Sequence, residues 1–507
     1  MVRSAPEMTR ARAAMFPRLR KWLVRGALIG AGAVAALVLV YSVQARRRFP
    51  ELRAWHTLRL REEFHAGRDD VRTFDDYLRL EERLFAELRE RLLNDPAAAD
   101  GFVIGRYHPG SVPAQLALDT PYNRSYELTP PSPRGSALLV HGLSDSPYSV
   151  RALAQTFFDQ GYDVVVLRLP GHGTTPSMLR DVTWRDWDAA VTLAAKHAAA
   201  RAGPGRPFVA AGHSTGAALL ALYAARALRD PALPEPSRLY LISPAIGVSR
   251  FAFLTNVISV LSFIPWFETS AWLDVLPEYD PYKYNSFPVN AANQIYHLTG
   301  ALQDELGEAQ KAGTLGAFPR TIVFQSIVDA TVSASDVVAD LLARLPASGH
   351  ELVVFDVNRQ DALQGLIAPG PMADLARLRA ATNVPFRITL IGNLDERTRE
   401  VAAFTRASGS SEVSVEPLGM SWPAGVFSLA HVALPFPPDD PVYGLTPADD
   451  GHPRFPLGAF AARGESGALT VPLGMLARLR CNPFFDVIRS KIAASCKEDE
   501  SALLQHH

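Results

Sequence analysis

Seven short apolar runs alternate with helical stretches between residues 136 and 391, and this alternation constrains the fold most. The runs are Ser136–Val140, Asp163–Leu167, Pro207–Ala211, Arg238–Ile242, Thr321–Phe324, Glu351–Phe355 and Phe386–Ile391. Ser149–Gln160, Trp184–Ala202 and Ala217–Leu228 read as helices between them. A strand that is apolar on nearly every residue has to be covered on both faces. Helices placed between such strands supply the cover. The expected fold class is therefore α/β, a mostly parallel sheet with helices on both faces. The chain carries no internal repeat.

One of the strand-to-helix junctions carries chemistry. Gly212-His213-Ser214-Thr215-Gly216 fits G-x-S-x-G, a pattern common by accident. Here it falls between the apolar run Pro207–Ala211 and the helix former Ala217–Leu228. Strand, tight turn, helix is the arrangement of a nucleophile elbow, which holds a serine in a strained turn above the carboxyl ends of the strands. Ser214 is the candidate nucleophile. His141-Gly142-Leu143 directly follows the run Ser136–Val140. A glycine-containing turn there leaves backbone N–H groups facing the elbow, so the N–H groups of Leu143 and Thr215 are the candidate oxyanion hole.

These segments resemble the α/β-hydrolase superfamily, and within it the monoacylglycerol lipase-like branch, also called serine aminopeptidase-like. The residues that carry the resemblance are His141-Gly142-Leu143-Ser144-Asp145-Ser146-Pro147, Leu169-Pro170-Gly171-His172-Gly173, Gly212–Gly216 and Ser326-Ile327-Val328-Asp329-Ala330-Thr331-Val332. They span about residues 100–357, and the likeness resumes near His431. The resemblance implies an ester-cleaving serine hydrolase with a catalytic triad, a cap over the pocket and no cofactor. It also implies a structural role for His172, and the chain order nucleophile, acid, base makes His141 structural.

By that resemblance the acid is Asp329, which follows the run Thr321–Phe324. A competitor is Asp395, which follows Phe386–Ile391 through Gly392-Asn393-Leu394 and lies nearer the base in sequence. The histidines after the acid are His350, His431, His452, His506 and His507. His350 begins a strand, His452 sits in a Gly/Pro/Asp-rich stretch, and His506 and His507 end the chain. His431 lies in a late loop after apolar residues and before the proline-rich stretch Pro435–Pro441, and is the candidate base. Asp329 and His431 are roughly a hundred residues apart, farther than in compact relatives, so residues 358–420 read as an insertion with its own strand.

The N-terminus has a different character. Residues 1–25 carry seven basic residues, Arg3, Arg10, Arg12, Arg18, Arg20, Lys21 and Arg25, against the single acid Glu7. An uncharged stretch, Gly26–Tyr41, precedes Arg46, Arg47 and Arg48. A helix over Trp22–Tyr41 would be about 30 Å long, enough to cross a hydrocarbon core. The expectation is a signal-anchor with the longer basic side in the cytoplasm. In a bacterial cell this gives a single-pass inner-membrane protein with its catalytic domain on the periplasmic side. Cleavage after Val43-Gln44-Ala45 is the alternative, opposed by the three arginines that follow. Gly30–Ala35 fits a dinucleotide fingerprint, but no strand precedes it. Gly26 and Gly30 form a GxxxG pair of ordinary small-residue composition.

The expected partition is a basic tail 1–21, a membrane span 22–45, an amphipathic helical spacer 46–95 and a hydrolase domain 96–480. The domain holds a cap at about 247–316 and the insertion at about 358–420, and 481–507 form a C-terminal helix and tail. Thr73 and Asp76 mark a helix start as a capping box. The uncharged segment Phe251–Phe267 is interrupted by Asn256 and Pro265 and suits a cap helix better than a second span. With 51 basic and 52 acidic residues the chain has no bulk charge to attract nucleic acid. Cys481 and Cys496 are too few for a four-thiolate metal site, and an exported domain would let them pair. The expected function is hydrolysis of a hydrophobic or lipid-like carboxylic ester without cofactor or metal. Acyl transfer through the same acyl-enzyme, and a non-catalytic binding module, remain alternatives.

Overall fold

The computed structural model describes residues 49–93, 102–247, 265–360, 366–449, 451, 453–460 and 471–504, together with isolated positions before residue 41. Ten strands form one sheet. In chain order they are β1 (Tyr126–Leu128), β2 (Gly135–Val140), β3 (Tyr162–Leu167), β4 (Phe208–His213), β5 (Arg238–Ile242), β6 (Arg320–Ser326), β7 (Glu351–Phe355), β8 (Arg387–Asn393), β9 (Glu400–Arg406) and β10 (Val413–Ser421). Their spatial order is β1-β3-β2-β4-β5-β6-β7-β8-β9-β10. The block from β3 to β8 is parallel. Antiparallel β1 closes one edge, and antiparallel β9 and β10 extend the other.

The helices that build the two covering layers are α1 (Phe74–Leu88), α2 (Arg151–Asp159), α3 (Trp184–Ala202), α4 (Thr215–Ala227), α5 (Val289–Lys311) and α6 (Phe485–Leu504). Successive strand residues face opposite layers. Leu138, Val140, Val165 and Leu167 pack with α1, α3, α4 and α5. Ala137, Leu139, Val164 and Val166 pack with α2 and α6. Every residue of β2, β3, β4 and β5 is buried, which is why these strands read as unbroken apolar runs.

The described elements bear on several expectations. Helix α1 starts at the capping box: Thr73 Oγ1 accepts from the Asp76 N–H, and Asp76 Oδ2 accepts from the Thr73 N–H. Its face Phe74, Tyr77 and Leu80 belongs to the main core, so this part of the spacer region is packed onto the domain. The insertion supplies β8, β9 and β10 and simply continues the sheet. Cys481 and Cys496 are both free and buried. Cys481 packs near Phe436 and Tyr443, whereas α6 carries Cys496 about 16 Å along its axis from Phe485. There Cys496 joins the core on the α2 side of the sheet.

The expected membrane span 22–45 lies outside the described residues apart from isolated positions. Among the described residues no helix is long and apolar enough to cross a membrane. Most of the expected cap helix 251–267 also lies outside them. The described part of the cap region consists of a 3-10 turn at Pro265–Ala271, a two-stranded ribbon formed by Trp272–Asp274 and Phe287–Pro288, and helix α5.

Candidate active site

Ser214 sits between β4 and α4 with φ 52° and ψ −113°. A non-glycine residue at positive φ is uncommon and strained. Three backbone hydrogen bonds hold the turn there. The Ser214 N–H donates to the Ile242 carbonyl at 2.9 Å, and the Ser214 carbonyl accepts from Ala245 N–H at 3.0 Å and Ala218 N–H at 3.1 Å. The two flanking glycines are required by space. A Cβ on Gly216 would lie 2.2 Å from the Val140 carbonyl oxygen, and one on Gly212 would lie 2.6 Å from the Ala217 nitrogen. Ser214 keeps 8% exposure, and Thr215 opens α4 at its positive end.

The loop after β2 runs beside this turn. A Cβ on Gly142 would be 2.8 Å from Asp145 Oδ2, 3.0 Å from His213 Nδ1 and 3.2 Å from Ser214 Cβ, so a side chain there would crowd the elbow. Leu143 follows directly, in the segment expected to supply an oxyanion donor. His141 is wholly buried and braces the loop. Its Nε2 accepts from the Leu169 N–H at 3.0 Å, which leaves Nδ1 to donate to the Gly142 carbonyl at 2.8 Å. His172 is buried in the neighbouring turn, with Nδ1 3.0 Å from the Pro170 carbonyl. Neither histidine touches the Asp329 side.

Asp329 and His431 come together although 102 positions separate them, with Nδ1 donating to Asp329 Oδ2 at 2.7 Å. The Asp329 side chain is fully buried and that of His431 nearly so. Asp329 Oδ1 also accepts from the backbone N–H groups of Thr331 and Val332, at 2.8 and 2.9 Å, and Oδ2 accepts from Gln325 Nε2 at 3.1 Å. Burial alone would raise this carboxyl. The hydrogen bond and charge of His431 and the two backbone donors outweigh burial and hold it below its ordinary value. Ser326 Oγ, at the end of β6, donates to the Leu429 carbonyl at 2.8 Å and so ties the histidine loop to the acid loop. The His431 ring lies 5.1 Å, centroid to centroid, from that of His213, the residue before Ser214.

Asp395 is elsewhere. It is exposed in the turn between β8 and β9, where Oδ1 accepts from the N–H groups of Arg397 and Thr398. His350 is buried at the start of β7, with Nδ1 accepting from the Thr321 N–H. His452, His506 and His507 lie outside the described residues.

Two polar groupings escaped the sequence reading. Asp145 lies beside the elbow with Oδ2 3.4 Å from His213 Nδ1 and Oδ1 2.6 Å from Lys283 Nζ. Burial works to raise its carboxyl, but the Lys283 charge and His213 hold it strongly down. Burial lowers His213, and the nearby His431 adds to the effect. Second, Arg168 is fully buried between Glu63 and Glu81, at 3.0 and 2.6 Å. Its Nη1 also donates to the His172 carbonyl at 3.0 Å. The segment before α1 is thereby locked against the loop that braces Gly142. Arg168 and its two glutamates, and Asp145 and Lys283, lie 87 to 138 positions apart, so spacing gave no signal. No group of three metal-ligating side chains occurs among the described residues.

A parallel sheet covered on both faces, with a strained serine elbow after a central strand and a carboxylate–imidazole pair from later loops, is the arrangement of the α/β-hydrolase fold. Residues 131–358 match the family described as serine aminopeptidase, S33. A stretch of 54 residues is 44% identical to a thermostable monoacylglycerol lipase of Bacillus sp. (strain H-257) and covers 11% of this chain. The chain spans only 22% of that lipase's length. Among solved structures, one described with the metagenome-derived lipolytic enzymes LipS and LipT is 22% identical over 51% of this chain and 98% of its own, with TM-score 0.37. The Paleococcus ferrophilus monoacylglycerol lipase is 15% identical over 46% and 87%, with TM-score 0.34. The chain is thus similar to the serine aminopeptidase, S33 family over residues 131–358, and to a monoacylglycerol lipase over a short stretch.

Proposed function

We propose that the protein is a membrane-anchored serine hydrolase that cleaves hydrophobic carboxylic esters through an acyl-enzyme. The observation that supports this reading is the buried Asp329–His431 hydrogen bond of 2.7 Å in a loop packed beside the strained Ser214 elbow. Ser214 Oγ attacks the ester carbonyl carbon as His431 Nε2 takes the hydroxyl proton. Asp329 keeps the other proton on Nδ1 and stabilises the imidazolium that forms. The N–H groups of Leu143 and Thr215 hold the oxyanion. His431 then gives its proton to the leaving alcohol as the C–O bond breaks. Water, deprotonated by the same histidine, attacks the acyl-enzyme, and the proton returns to Ser214 Oγ as the carboxylic acid leaves. Relatives named as monoacylglycerol lipases favour a lipid-like ester.

The test is labelling with a fluorophosphonate, which reacts with an activated serine. The full chain should be labelled at Ser214, and pre-treated protein should lose esterase activity in proportion to labelling. An unlabelled Ser214 in folded protein, with activity intact, would refute the reading.

The anchor rests on the charge asymmetry around Gly26–Tyr41. A C-terminal reporter active only after export should be active in intact bacterial cells, and the membrane fraction should retain it. Reporter activity confined to the cytoplasm would reverse the topology. A mature N-terminus at Arg46 would replace the anchor by a cleaved signal.

A further inference from the structure

A cavity of about 230 Å³ opens beside the candidate active site. Its wall includes Ser144, which adjoins the Leu143 donor, and Val432, which follows His431. The volume is below that of pockets that hold drug-sized ligands, about 300–1,000 Å³, so a compact group fits it better than a long acyl chain. The carboxylates Asp145 and Asp274 line the cavity together with three cationic side chains, Lys283, Arg478 and Arg480. Two of the cations are already engaged. Lys283 Nζ is 2.6 Å from Asp145. Arg480 is 3.6 Å from the buried Asp280 and donates to the Tyr279 hydroxyl at 3.3 Å. Arg478 is exposed, and no hydrogen bond or ion pair engages it among the described residues. Lys283 and Arg480 thus have carboxylates in ion-pair contact, Asp145 and Asp280, whereas Arg478 has none, and a bound anion would supply one.

We propose that Arg478, backed by Arg480, is a specificity-determining residue that binds an anionic group, phosphate or carboxylate, carried by the ester substrate next to its scissile bond. This deepens the ester-hydrolase reading and rests on it. Arginine suits the task because its planar fork binds either anion through two parallel N–H donors. The aliphatic part of such a substrate would lie outside this small cavity, while the charged end is fixed against the Ser144 and Val432 side.

The experiment compares matched esters on the full chain. One pair is butyryl glycerol and butyryl glycerol phosphate; a second is propyl butyrate and the butyrate ester of 3-hydroxypropanoate. In the wild type the anionic member of at least one pair should have the higher kcat/KM, and the preferred pair tells phosphate from carboxylate. In Arg478→Ala the ratio of anionic to neutral kcat/KM should fall at least roughly tenfold, mainly through KM, with Arg478→Lys restoring part of it. An unchanged ratio in Arg478→Ala, or a wild-type preference for both neutral esters, would overturn the proposal. A separate arm uses Ser214→Ala protein and measures binding of butyryl glycerol phosphate and of butyryloxypropanoate by calorimetry, with and without Arg478→Ala. Binding of either that Arg478→Ala abolishes supports the anion site even if no ester is hydrolysed, an outcome that would sink the hydrolase reading alone. Binding that does not depend on Arg478, or no binding of either anion, overturns the anion site and leaves the hydrolase reading to the labelling test.

Discussion

Ser214→Ala is expected to cut ester turnover by about a millionfold, the loss measured when the nucleophile of a well-studied serine protease is removed. The fold should survive. Alanine deletes one hydroxyl, and the hydrogen bonds that hold the elbow run through the backbone N–H and carbonyl of residue 214. The positive φ of 52° is no harder for alanine than for serine, so the strain is unchanged. Far-ultraviolet circular dichroism and the thermal midpoint should therefore stay near wild type while turnover and fluorophosphonate labelling vanish. Folded variant protein that keeps more than about one per cent of the wild-type rate would remove Ser214 from the nucleophile's role.

The elbow was readable because its parts are neighbours in sequence. Gly212 and Gly216 are fixed by contacts with Ala217 and Val140, and the strand and helix on either side are local patterns. The central strands were equally plain. Arg238–Ile242 and Glu351–Phe355 occupy the expected residues, because burial on both faces leaves no polar position to break the run. Strand β10 was invisible for the opposite reason. It lies at the sheet edge and is exposed along most of its length, and its alternation Val413-Ser414-Val415-Glu416 is broken at Pro417 and resumes in the other phase at Leu418 and Met420, so no single two-residue pattern runs through it. The ion-paired groups Arg168–Glu63–Glu81 and Asp145–Lys283 were illegible for a third reason. Each joins segments that meet only through the tertiary fold, and a single charged residue in a sequence reads the same whether it is solvated or paired.

The acid is the residue on which the sequence was most divided, because the inserted strands part Asp329 from His431 and bring Asp395 closer along the chain. Asp329→Asn is expected to lower turnover by about 10⁴ with the fold retained. The Oδ2 atom of Asp329 accepts the Nδ1 proton of His431. An amide can instead present its N–H₂ there, which favours the tautomer with the proton on Nε2. That nitrogen then cannot take the proton of Ser214, and no negative charge steadies the imidazolium. The wild-type carboxyl is held below its ordinary value, so it stays ionised throughout the range in which histidine normally titrates. Asp395→Asn keeps an oxygen that can accept from the Arg397 and Thr398 N–H groups, so the exposed β8–β9 turn should persist and turnover should stay near wild type. Steady-state kinetics on both purified variants, with circular dichroism as the control for folding, separates the two. An inactive Asp395→Asn beside a near-normal Asp329→Asn would mean that the inserted strands supply the acid and that the Asp329–His431 contact only secures the loop.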